Sequence, residues 1–173
     1  MKTITRDDVV KTIRSFRKNM VACDRSILKM IKMIDHLEKS RANAEKIMAA
    51  TFRPTWKMDR AGTKTSVLRD VSDIYAASLE SSDREIRELY NSVERLTQRK
   101  ERMCRIWTRF VELPEREARI LSLLYENRPE KETYAYKLER VSAETGYSRS
   151  HIARLAKRGI AEILEACAES ETK

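Results

Sequence analysis

The stretch Leu138-Glu139-Arg140-Val141-Ser142-Ala143-Glu144-Thr145-Gly146-Tyr147-Ser148-Arg149-Ser150-His151-Ile152-Ala153-Arg154-Leu155 decides how this chain is read. Leu138 and Val141 stand three apart and give a short helix, about Tyr134 to Thr145, an inward face. Gly146-Tyr147 interrupts it as a tight turn, where a positive φ is usually needed and glycine supplies it. Ser148 follows as an N-cap, and a second helix runs to about Ala166 with Ile152, Leu155, Ile160, Ile163 and Leu164 inward. Ser142 is the small residue where the two helices cross. Two helices joined this way fit the helix-turn-helix template.

Upstream, Leu113-Pro114-Glu115-Arg116-Glu117 opens another helix. Pro suits a first turn and the acidic residues suit its positive end. Ile120, Leu121, Leu123 and Leu124 form its apolar face through about Glu126, and a polar connector, Asn127 to Glu132, contains Pro129. Residues 113–173 therefore read as a three-helix module.

The first 112 residues read differently. From about Thr5 to Ala50 an apolar seam alternates three and four residues apart, through Val9, Ile13, Phe16, Met20, Cys23, Ile27, Met30, Ile34 and Leu37. Thr5 is a suitable N-cap, with Asp7 and Asp8 in the first turn. From about Thr65 to Glu112 a second seam runs through Leu68, Tyr75, Leu79, Ile86, Leu89, Val93, Leu96, Met103, Trp107 and Phe110. Each helix is roughly 70 Å long. A linker of about 51–64, containing Pro54 and Gly62, joins them. Equal lengths and a short linker predict an antiparallel helical hairpin, a coiled coil, over residues 1–112; the alternative is one helix interrupted at Pro54. If Ala50 faces Thr65, facing residue numbers add to roughly 115, and Arg41 on the seam either pairs with Asp73 or Asp70 or extends its head to solvent. Cys23 and Cys104 do not meet in that register.

Composition supports an all-α fold. The chain has 173 residues, three Gly and three Pro, too few breakers for a many-turned β fold. No run approaches the ~20 apolar residues of a membrane span, and Met1 to Thr12 has no apolar signal core, so the expected location is cytoplasmic and no membrane partner is expected. Cys23, Cys104 and Cys167 are dispersed, and His36 and His151 stand apart from them. No disulfide framework, metal site or cofactor is expected. Nor is there a Gly-rich phosphate loop or a nucleophile with a positioned base, so the chain reads as a non-enzyme with no catalytic residues.

Charge is distributed unevenly. The formal net charge is +9, and residues 1–112 carry all of it, with 25 basic and 16 acidic side chains; residues 113–173 have 11 of each. Within that neutral module, Ser148 to Ala161 holds Arg149, Arg154, Lys157 and Arg158 and no acid. A short basic helix in a neutral module suits a recognition helix in the major groove, its first turns near base edges and its flank on phosphates. The plainer reading is a solvated basic face. His151 is expected to touch a phosphate or lie exposed. Arg95, Arg99, Lys100, Arg102, Arg105 and Arg109 on the second long helix either extend the phosphate footprint or form a solvated face.

The module resembles region 4 of the sigma-70 family, through Leu113-Pro114-Glu115-Arg116-Glu117, Ile120-Leu121, Tyr125, Leu138-Glu139-Arg140-Val141, Gly146-Tyr147-Ser148-Arg149, Ile152 and Arg154-Leu155. With a hairpin ahead of it, the whole chain resembles sigma-like regulators of Gram-positive phages and prophages, including late-gene activators and positive control factors of the ArpU and RinA type. The resemblance implies a −35-type reading of promoter DNA and contact with RNA polymerase. By position, Arg149, Ser150 and Arg154 match base-reading residues, and Lys157 and Arg158 match the backbone-contacting flank. Ser148 and His151 join them as expected phosphate contacts. Lys137 stands where the family has a Thr or Ser cap, which moves the helix start to Thr133. Ser150 and Arg154 replace an acidic reader and a Gln, so the −35 preference does not carry over. Gly159 replaces a helix former, a cost of up to ~1 kcal/mol unless close backbone approach is useful there.

The expected function is a sequence-specific transcription regulator, a phage or prophage late-gene activator working with RNA polymerase. The alternatives are a coiled-coil adaptor that binds polymerase by region-4 mimicry and a phage packaging or assembly protein. The expected partners are double-stranded DNA at a promoter or operator, RNA polymerase, and a second copy of the chain through the hairpin. Apolar residues off the seam, among them Val21, Leu28, Ile31 and Tyr90, motivate the last of these.

Overall fold

The computed structural model describes residues 3–51, 65–126 and 132–169, with the side chains of 48–51 and 65–74 outside that description. The expected linker around Pro54 and Gly62 and the connector around Pro129 lie outside the described residues. Among those described there are five α-helices and no strand: α1 (Arg6–Thr51), α2 (Thr65–Val111), α3 (Glu115–Tyr125), α4 (Tyr134–Thr145) and α5 (Arg149–Glu169). None is long and apolar enough to cross a membrane.

The starts of α1 and α4 have local reasons. At α1, the Asp8 amide donates to Thr5 Oγ1 at 3.3 Å and the Thr5 amide donates to Asp8 Oδ2 at 3.0 Å, a reciprocal cap that satisfies two otherwise orphaned donors. α1 bends at Ser15, whose hydroxyl donates to the Lys11 carbonyl at 3.2 Å, a side-chain bond that competes with the helix ladder. At α4 the cap is Thr133, which accepts from the Tyr136 amide. The displaced start follows from Lys137, which cannot cap.

By contacts the chain divides into two compact units, Met1–Asp24 with Thr97–Lys173, and Arg25–Leu96. The change of sequence pattern at 112/113 thus falls inside the first unit. There, Val9 and Ile13 of α1 and Ile106 and Phe110 of α2 share one core with Ile120, Leu121, Leu124, Val141, Ile152, Ile160 and Ile163 of the last three helices. In this unit Asp24 pairs with Lys100 at 2.6 Å, Met20 Sδ lies 4.0 Å from Cys104 Sγ, and Phe16 stacks on Trp107 with centroids 4.5 Å apart. As α1 numbers fall, α2 numbers rise.

In the second unit Ile34 and Ile86 are buried, Tyr90 donates to Glu38 at 3.2 Å, and Arg41 pairs with Asp83 and with Glu45, the latter at 3.0 Å. Facing numbers in the Arg41–Asp83 pair, as in Asp24–Lys100, add to 124 rather than the expected 115. Arg41 does find a carboxylate, but it is Asp83; Asp70 and Asp73 have side chains outside the described residues.

Candidate nucleic-acid interface

The candidate interface is built on α5, which is fixed from below and open above. Ile152, Leu155, Ala156, Gly159, Ile160, Ile163 and Cys167 are its buried face. Gly159 has a reason to be glycine. A Cβ added there would lie 3.0 Å from Leu121 Cδ1 and 3.3 Å from Glu117 Cβ, so its absence lets α5 lie close on α3.

The turn that aims α5 is bonded throughout. Gly146 caps α4 at φ 74°, in the left-handed region, and its amide donates to the Ser142 carbonyl at 2.9 Å. The Ser142 hydroxyl donates to the Tyr147 carbonyl at 2.7 Å, so Ser142 contributes a bond to the turn as well as a small side chain. Ser148 caps α5: the His151 amide donates to its Oγ at 3.3 Å, and the Ser150 hydroxyl lies 3.2 Å away. His151 meets the Tyr147 ring edge-on, centroids 5.1 Å apart.

The exposed face of α5 carries Ser150, Arg154, Lys157 and Ala161, with Ala153 partly exposed between them. At 100° per residue these five fall within about a quarter-turn or so of one another. Small residues on the middle of the face keep the backbone accessible, and Arg154 and Lys157 make no ion pair among the described residues. Arg149 and Arg158 flank this face and are both engaged. Arg149 donates to Glu139 of α4 at 2.8 Å in an exposed pair. Arg158 pairs with the buried Glu117 of α3 and with Glu162, the latter at 3.4 Å. The seven residues expected to meet DNA are therefore gathered on one helix and its cap. Arg154 and Lys157 have no ion-pair partner among the described residues, Ser148 and Ser150 hold the cap, His151 packs on Tyr147, and Arg149 and Arg158 hold carboxylates.

Glu117 and Glu139, the acids that occupy two of the arginines, carry no sequence sign of that pairing. Glu139 was visible as the only acid on the exposed side of α4's middle turn. Glu117 reads as a favourable charge at a helix start and gives no sign of its burial. Three exposed tyrosines, Tyr134 and Tyr136 in the first turn of α4 and Tyr147 before α5, stand near the same helices and carry no sequence signal that marks them.

Comparison with known proteins gives no match to a family model, a curated protein or a solved structure.

Proposed function

We propose that the chain is a sequence-specific regulator of transcription that binds double-stranded DNA through α5, with α4 and α5 acting as a helix-turn-helix and α1 and α2 as an antiparallel helical hairpin. The observation that carries this reading is the solvent face of α5, where Arg154 and Lys157 have no ion-pair partner among the described residues and stand beside small residues on a helix anchored by its opposite face. Unpaired guanidinium and ammonium groups on a narrow helix face suit base edges and phosphates in a major groove. The resemblance to sigma region 4 adds RNA polymerase as a partner.

A second copy of the chain is the proposed partner of the hairpin. Among the described residues of 25–96 the fully buried apolar side chains are Ile34 and Ile86, with Ile27, Met30, Leu37, Leu89 and Val93 half-buried, while Leu28, Ile31 and Ile47 are exposed. A second hairpin would cover such a stripe, and pairing two modules would raise the effective concentration of each at its half-site. Sedimentation at micromolar concentration then gives a mass near twice 20.3 kDa.

The test of the main reading is selection of duplexes from a random pool by the full-length chain. A single enriched motif supports it, and a pool that stays random contradicts it.

A further inference from the structure

Two arginines of α5 are held by carboxylates from other helices, and the two holds differ. Arg158 pairs with Glu117 of α3, whose side chain is buried, so its departure would strand a buried charge. Arg149, in the first turn of α5, is 60% exposed and donates through Nη2 to Oε1 of Glu139 at 2.8 Å; Glu139, on α4, is 62% exposed. Both heads of this second pair are hydrated, and an exposed pair of that kind favours the closed arrangement by a factor of about five at most. Arg149 is therefore exchangeable where Arg158 is not. On its own helix Glu139 has no cation to pair with, since the residues three and four positions away are Ala135, Tyr136, Ser142 and Ala143.

Position gives the exchange a consequence. Glu139 is bonded to the first turn of α5, so its carboxylate lies at the edge of the face that a duplex would meet. While Arg149 stays on Glu139, the pair is neutral and offers the duplex no net cation. When Arg149 leaves, the Glu139 carboxylate faces the phosphates, and like charges brought together oppose binding. A single phosphate oxygen gives Arg149 much what Glu139 already gives it, a hydrated anionic acceptor. A guanine gives it more, because N7 and O6 together accept both arms of the guanidinium. The exchange therefore goes forward where a base contact is on offer and stalls where there are phosphates alone.

We propose that Glu139 is a specificity-determining residue of the DNA-binding face: it withholds Arg149 from the phosphates of random sequence and releases it to a duplex that offers a bidentate base contact. It acts through Arg149 and is in that sense a positioning residue. The inference deepens the reading of α5 as the helix that reads DNA and rests on it.

The experiment measures the affinity of the full-length chain for the duplex it selects from a random pool and for a scrambled duplex of equal length, over a range of salt. Glu139→Gln keeps the size of the side chain and removes its charge. It should tighten the scrambled duplex about fivefold and the selected duplex only about twofold, so that discrimination falls. The salt slope on the scrambled duplex should steepen by about one unit, because Arg149 now adds a net cation to the footprint. Glu165→Gln, at an exposed position toward the other end of α5, makes the same change in net charge and should leave discrimination where it was. In an Arg149→Ala background, Glu139→Gln should tighten both duplexes alike, since no arginine remains to be released. Unchanged discrimination in Glu139→Gln, with motif selection by the parent intact, would overturn this inference and leave the reading of α5 standing. A fall in discrimination of equal size without Arg149 would overturn it as well, making Glu139 a DNA contact in its own right. A parent chain that selects no motif would overturn the reading of α5 itself, and this inference with it.

Discussion

Arg158 of α5 is ion-paired to Glu117 of α3, whose side chain is 2% exposed although that of Arg158 is 60% exposed. A buried carboxylate depends on this one surface arginine, so a residue that the sequence reads as a phosphate contact is also a structural tie between two helices. Replacing Arg158 leaves the Glu117 charge uncompensated.

Arg158→Ala should therefore cost about 1–3 kcal/mol of stability, below the range for a fully buried pair because the arginine head is hydrated. Adding Glu117→Gln to that variant should recover part of the loss, since the stranded charge is gone. Urea denaturation of the single and double variants measures both effects. If Arg158→Ala kept full stability and instead lowered the salt slope of DNA binding by about one unit, the arginine would be a phosphate contact first.

Gly159→Ala opposes two effects. Removing a glycine from a helix interior favours the helix by up to ~1 kcal/mol. The new Cβ, however, meets Leu121 Cδ1 at 3.0 Å and Glu117 Cβ at 3.3 Å, and overpacking of that kind costs about 1–3 kcal/mol. The net expectation is destabilisation, relieved in a Leu121→Val background. A lower thermal midpoint for the single variant and a smaller deficit in the double variant are the results to look for. A stabilised single variant would mean that α3 and α5 can separate at no cost.

The Arg41–Asp83 pair fixes how α1 meets α2 in the second unit. Both side chains are partly exposed, so a double-mutant cycle of Arg41→Ala and Asp83→Ala should return a small, salt-sensitive coupling. Strict additivity would remove the pair from solution and with it the register that it marks.

That register is where the sequence misled. The helices themselves are legible: Thr5, Pro114, Thr133, Gly146 and Ser148 fix five starts or stops within a residue or two, because these signals are local. The register of α1 on α2 is not local. A seam with an apolar residue every three or four positions looks much the same after a slip of a heptad or so, so apolar periodicity cannot choose between facing numbers that add to 115 and to 124. The choice lies in individual pairs, Asp24 with Lys100, Phe16 with Trp107 and Arg41 with Asp83, and none of them announces its partner in one dimension. At α5 the same distinction holds. The basic run was legible as composition, whereas the carboxylates that engage Arg149 and Arg158 come from α4 and α3, ten and forty-one residues away. Arg154 and Lys157 stand out only once those pairs are known.

The most direct test of the account is the affinity of Arg154→Ala for a duplex selected by the full-length chain and for a scrambled duplex of equal length, at one salt concentration. Arg154 has no carboxylate partner among the described residues, so its loss should leave the fold and the thermal midpoint intact. The account predicts a loss of roughly 1–3 kcal/mol on the selected duplex and much less on the scrambled one. Equal losses on both, or no loss on either, would contradict the assignment of α5 as the helix that reads DNA sequence.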